Sequence, residues 1–115
     1  MCAITINVKE KINSPSALTR EQGQIIYDDI ISSFSKGDSV ILDFADIESL
    51  ITPFLNVAIG KLYEDYSSEE LKQLLDIQNF PPEKVSSFNV VTANAKRFYA
   101  NRDSFEKSVK DTIGV

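Results

Sequence analysis

The chain has 115 residues, 43% of them apolar and 25% charged, which fits one globular domain around one core and argues against wholesale disorder. Its net charge is −5 and its twelve basic residues are scattered, a poor match for the phosphate backbone of a nucleic acid. It contains no histidine, which removes the commonest general base, the commonest metal ligand and every histidine-activated nucleophile.

In chain order, residues 3 to 8 (AITINV) alternate with Ile4, Ile6 and Val8 on one face, predicting a strand. Lys9 to Pro15 reads as a loop, with Asn13, Ser14 and Pro15 as turn formers. Thr19 and Gln22 have capping-box spacing, and Gly23, Ile26, Tyr27, Ile30, Ile31 and Phe34 follow as a one-sided helical stripe. Gly37 ends that helix. Ser39 to Phe44 (SVILDF) is an apolar run expected to form a buried central strand. Thr52 and Pro53 then read as a capping hydroxyl and a first-turn proline, opening a helix from Pro53 to about Tyr66. That helix is expected to bury Phe54, Leu55, Ala58, Ile59 and Leu62, and Ser67 and Ser68 interrupt it.

From Glu69 to Asn79 the expectation is a short helical turn and then a strand around Leu74 to Gln78. A third helix starts near Pro82, with Val85, Phe88, Val91 or Thr92, Ala95, Phe98 and Tyr99 as its stripe. The tail from Asn101 adds a helical stretch anchored by Phe105 and Val109. Strands alternating with helices predict an α/β fold: one domain, with a mainly parallel or mixed sheet of three to four strands packed with three to four helices. Its core spans about residues 3–100, and residues 101–115 form the tail.

The chemical inventory is sparse. The single Cys2 has no partner for a disulfide and reads as a small inert residue, so the cytoplasm is the expected compartment. No apolar run is long enough to span a membrane, and the N-terminus lacks the pattern of a signal peptide. The glycines lack phosphate-loop spacing. Asp28 with Asp29, and Glu69 with Glu70, are adjacent pairs that diverge by about 100° on a helix and read as solvated faces. Catalytic residues, metal and cofactor are all expected to be none. Tyr63, Tyr66, Phe80 and Tyr99 form either an aromatic patch or ordinary core and rim packing. Asn56 faces either solvent or a contact surface.

Val40 to Leu62 (VILDFADIESLITPFLNVAIGKL) joins a buried strand, a short acidic loop and an apolar helix. This segment resembles the centre of STAS domains, the fold of bacterial anti-sigma-factor antagonists. Asp43-Phe44, Ile47-Glu48, Thr52-Pro53-Phe54 and Gly60-Lys61-Leu62 resemble more closely a bacterial STAS-like domain of unknown function. Thr19 to Gly23 and Asp76 to Asn79 extend the resemblance over roughly residues 17–100. It implies a regulatory module that binds a histidine-kinase-like ATPase through this turn and helix, and that phosphorylation of a Ser or Thr there releases. Laid on the antagonists' turn without gaps, the acid is replaced by Ile51 and the acceptor by Pro53, with Thr52 one residue early and Phe54 in place of a small residue. Thr52 is thus the one nearby candidate for phosphorylation, and its first reading is a helix cap. Phe54 is either packed inside or offered to a partner, and the apolar preference of phenylalanine favours the inside.

The expected function is therefore non-catalytic protein binding in bacterial regulation, with Asp46, Glu48, Thr52, Pro53, Phe54 and Asn56 as the recognition surface. The alternative is a nucleotide or small-ligand sensor with its site near Thr52, although no basic residue lies between Lys36 and Lys61. A homodimer stays open, because the helix from Pro53 to Tyr66 is apolar on several sides.

Overall fold

The computed structural model describes the backbone of residues 3–114 and the side chains of residues 3–99. Cys2, and the Phe105 and Val109 side chains expected to anchor the tail, lie outside that range. Three strands form a parallel sheet: β1 (Ala3–Asn7) and β5 (Leu75–Gln78) flank β3 (Ser39–Asp43). A second, two-stranded parallel sheet pairs β2 (Ser16–Ala17) with β4 (Ser49–Leu50). The helices are α1 (Val8–Ile12), α2 (Arg20–Ser35), α3 (Thr52–Ala58), α4 (Ser68–Leu74) and α5 (Val85–Gly114). The fold is thus the small α/β domain that the alternation of elements predicts.

One face of the main sheet makes the core. Val40 and Leu42 of β3 are buried there, and the register sets Ile4 and Leu75 beside Val40, and Ile6 and Ile77 beside Leu42. Ile26, Ile30, Phe34, Phe54, Leu55 and Leu62 close over this face from the helices. On the other face Thr5, Ile41 and Asp76 stand in one row and Asn7, Asp43 and Gln78 in the next, all exposed or half-exposed. The apolar run of β3 is therefore central, as expected, but alternates in burial because helices cover one side only.

Several local expectations are corrected. Val8 leaves the first strand, because Asn7 caps α1 by accepting a hydrogen bond from the Glu10 amide at 2.9 Å. The segment read as a loop is thus mostly one short helix, closed by Asn13 in the left-handed conformation (φ 57°). The helix expected from Pro53 to Tyr66 is two pieces. α3 ends at Ala58, and after Ile59 a 3-10 segment runs from Gly60 to Glu64. All five residues expected to be buried along it are buried. Ser67 begins α4 through a capping box with Glu70, so the interrupting serines start a new helix. In α5, Val91 and Ala95 face the core and Phe88 is half-buried, but Val85 (44%) and Phe98 (62%) are exposed. Among the described residues the stripe is therefore buried along its middle and leaves Val85 and Phe98 in solvent.

Candidate functional site

The small β2–β4 sheet is the platform on which the region singled out by the sequence is built. Its two strands run parallel, and each leads directly into a helix: β2 into α2 and β4 into α3. Both helices therefore begin at the same end of the molecule. The pairing starts where the Glu48 amide donates to the Pro15 carbonyl at 2.8 Å and ends where the Ile51 amide donates to the Ala17 carbonyl at 3.1 Å. Within it Ala17 and Leu50 face inward and are buried. Side chains alternate along a strand, so the next pair in register, Leu18 and Ile51, faces outward. Leu18 is 41% exposed and Ile51 is 40% exposed, two apolar side chains at the surface at the end of the paired strands.

The two helix starts differ. At α2 the Thr19 hydroxyl accepts from the Gln22 amide at 3.1 Å, and the Gln22 carbonyl oxygen accepts from the Thr19 amide at 3.0 Å, the expected capping box. Gln22 does more: its oxygen also accepts from the Leu18 amide at 2.8 Å, and its amide nitrogen donates to the Ser16 carbonyl at 3.0 Å. One side chain thereby fixes the backbone that presents Leu18. At α3 the cap position is Ile51, in extended conformation (φ −127°, ψ 163°), and no side chain caps the helix. Thr52 is the first helical residue, not the cap. The shift of one position follows from the small sheet, which holds Ile51 extended and so decides where the helix begins. The Thr52 hydroxyl is exposed and makes no hydrogen bond with a described residue.

The other residues of the expected recognition surface divide between surface and core. Asp46 and Glu48 are exposed on the loop before β4, with Asp46 in the left-handed conformation (φ 64°). Pro53 is half-buried. Phe54 is fully buried, so its ring belongs to the core and is not offered at the surface. Asn56 is exposed one turn after Thr52 on the same side of α3. It lines a recess of about 220 Å³ with Asn94 and the exposed Phe98 of α5. Asp43, at the end of β3, is committed to structure: its carboxylate accepts from the Ala45 amide at 2.9 Å and from the Asn79 side chain at 2.8 Å. It ties together the loops that follow β3 and β5.

Leu18 and Ile51 are the residues the sequence reading missed. Two paired residues per strand are too few to show the alternation from which a strand is read, so only the pairing itself reveals them.

The aromatic residues do not form one patch. Phe80 stacks edge-to-face between Phe44 (4.9 Å) and Phe88 (5.1 Å), whereas Tyr63, Tyr66 and Tyr99 line a separate hollow. The adjacent carboxylates point to different work, as expected of a solvated face. Asp29 pairs with Lys11 at 3.3 Å, and Asp28 accepts from Gln24 at 2.7 Å. Among the described residues there is no cluster of three or more potential metal ligands, and no helix is long and apolar enough to cross a membrane.

Residues 22–84 match the family model described as a STAS-like domain of unknown function. The match covers more than half of the chain, and the chain belongs to that family. It takes in β3, the β4–α3 turn and β5, the segments on which the resemblance was first visible. The family's description points to the anti-sigma-factor antagonist fold. No curated protein and no solved structure matches the chain.

Proposed function

We propose that this chain is a non-catalytic regulatory module that binds a protein partner at the end of the molecule where α2 and α3 begin. The observation that supports this most is the outward-facing pair Leu18 and Ile51, an apolar contact presented by a sheet whose inward residues are core. Thr52 and Asn56 continue the surface along α3, and Asp46 and Glu48 give it an acidic rim. An apolar centre with a polar rim is the anatomy of a protein interface. The family's likeness to anti-sigma-factor antagonists supports a regulatory partner, for which a histidine-kinase-like ATPase is the leading class.

Thr52 is the residue through which a charge would act. Its hydroxyl is exposed and unused, and a phosphate there adds about −1.5 to −2 charges at the edge of the apolar pair. The helix behind it has only seven residues and no cap, so it offers little of the dipole a nucleotide phosphate would seek. This disfavours the ligand-sensor reading.

The test is affinity purification from the source organism with the native protein and with Ile51→Asp and Thr52→Glu, folding being checked by circular dichroism. A captured protein is identified, purified and titrated against all three forms. Ile51→Asp is expected to weaken binding by about tenfold or more, the cost of placing a charge in a desolvated apolar contact. Equal affinity for all three forms would sink the assignment of this surface. Saturable calorimetric binding of a nucleotide, with no protein captured, would move the sensor reading ahead.

A further inference from the structure

A second surface lies where the 3-10 segment Gly60–Glu64 turns into α4 beneath α5, next to the Asn56 recess with which it shares Tyr99. It is a hollow of about 410 Å³ walled by the rings of Tyr63, Tyr66 and Tyr99 and edged by Glu64, Asp65 and Lys96. One of its walls is held from behind: Tyr66 stacks edge-to-face on the buried Phe34 at 5.1 Å, while Tyr99 meets its exposed neighbour Phe98 at 4.9 Å. The third ring, Tyr63, is half-buried. A ring fixed before anything binds, as Tyr66 is, lowers the entropic cost of a contact.

The electrostatics of the hollow favour a cation. Aromatic faces carry negative charge density, and Glu64 and Asp65 are exposed carboxylates with no ion pair among the described residues. Their field reaches the adjacent Tyr27, whose phenol is raised above its ordinary value by burial and then by Asp65 and Glu64. The rim already shows the preference: Lys96 lies 6.0 Å over the Tyr63 ring, and nearby Lys61 lies 4.6 Å over Tyr27. Lys96 sits at the outer limit of such a contact, so it marks the site without filling it.

We propose that this hollow receives an arginine side chain from a basic segment of a partner protein, stacked on the tyrosines and paired with Glu64 and Asp65. Arginine fits better than lysine because its planar guanidinium can stack on a ring while its fork of donors meets two carboxylates. A chain with a net charge of −5 draws a basic partner by long-range attraction as well. Binding here uses the side chains of the hollow and not Leu18 or Ile51, so either site can fail alone.

The experiment titrates the blocked peptide Gly-Arg-Gly-Arg-Gly into the full chain and follows the tyrosine ring resonances by NMR. Saturable shifts are expected at Tyr63, Tyr66 and Tyr99. The citrulline counterpart, equal in shape but uncharged, should bind about tenfold more weakly, and the lysine counterpart about threefold more weakly. Glu64→Gln with Asp65→Asn should lower affinity about tenfold, and Lys96→Met should raise it about threefold by removing a like charge. Glu83→Gln, away from the hollow, should change nothing and controls for bulk charge. The substituted residues Glu64, Asp65, Lys96 and Glu83 are exposed, so the variants keep the fold. Equal binding of the citrulline peptide, unshifted tyrosines, tighter lysine binding, or a Glu83→Gln loss as large as that of the double variant would each overturn the proposal.

Discussion

Helices α2 and α3 begin side by side from one parallel pair of strands, yet they begin for different reasons. The start of α2 is written locally: Thr19 and Gln22 exchange hydrogen bonds within one turn, and sixteen residues follow with a consistent apolar stripe. The start of α3 has no cap and only seven residues behind it. It is held from outside, by the Ile51 amide in the small sheet and by Phe54 and Leu55 sunk in the core. A helix this short is unstable by itself, so tertiary contacts must supply what the local sequence does not. The side chain that could have capped α3 is instead an isoleucine facing solvent. Local stability has been given up at the position where the structure presents an apolar contact.

The contrast can be broken most directly from the core. Phe54→Ala removes a fully buried ring from a helix with no cap to fall back on, and it should cost about 4 kcal/mol in urea unfolding. If α3 were held locally, its effect would fall well below that of an ordinary core truncation. Next comes Gly23→Ala, which probes the contact between the two helices. A Cβ at Gly23 would lie 2.7 Å from the Phe54 carbonyl oxygen and 3.0 Å from Val57 Cβ. Backbone cannot yield as a side chain can, so the crowding should outweigh the roughly 1 kcal/mol gained in helix propensity and leave a net loss of about 2 kcal/mol. A stabilised Gly23→Ala protein would show that the helices can separate without cost.

Two substitutions sharpen the contrast at the caps. Thr19→Ala removes a working cap and should cost about 1 kcal/mol, while the Leu18 amide, held by the Gln22 side chain, keeps its protection from exchange. Ile51→Ser does the reverse. Its backbone is already extended as a cap requires, so a serine hydroxyl should stabilise α3 by about 0.5 to 1 kcal/mol while weakening partner binding. Equal partner affinity in a stabilised Ile51→Ser protein would separate the missing cap from recognition.

The same contrast explains what could be read from the chain beforehand. α2, β3, β5 and the buried set Phe54, Leu55, Ala58, Ile59 and Leu62 were legible because periodicity and capping chemistry are local signals. The β2–β4 pair was not, since two residues per strand carry no period and the partners lie 33 positions apart in the register. Missing it displaced the start of α3 by one residue and hid Leu18 and Ile51. The short helix α1 was missed for a related reason: Asn7 completes the β1 alternation and caps α1 at once, and a five-residue helix shows no stripe. Tyr63, Tyr66 and Tyr99 could be picked out as aromatics, but their separation from Phe80 depends on which rings the core takes.

The smallest effect is the most specific to the comparison. By sequence, Thr19 and Thr52 look alike, each a threonine at an apparent helix start. By structure, Thr19 is a cap and Thr52 is the first helical residue, exposed and with no described partner for its hydroxyl. Thr52→Ala should therefore change stability by less than about 0.5 kcal/mol, since nothing is lost but an exposed side chain and alanine suits a helix slightly better. Measured by urea unfolding beside Thr19→Ala, the two threonines should differ several-fold. A cost at Thr52 equal to that at Thr19 would mean that its hydroxyl caps α3 in solution and is not free to carry a charge. A small cost leaves the hydroxyl without a structural duty at the edge of Leu18 and Ile51, where a modification could act on binding and leave the fold intact.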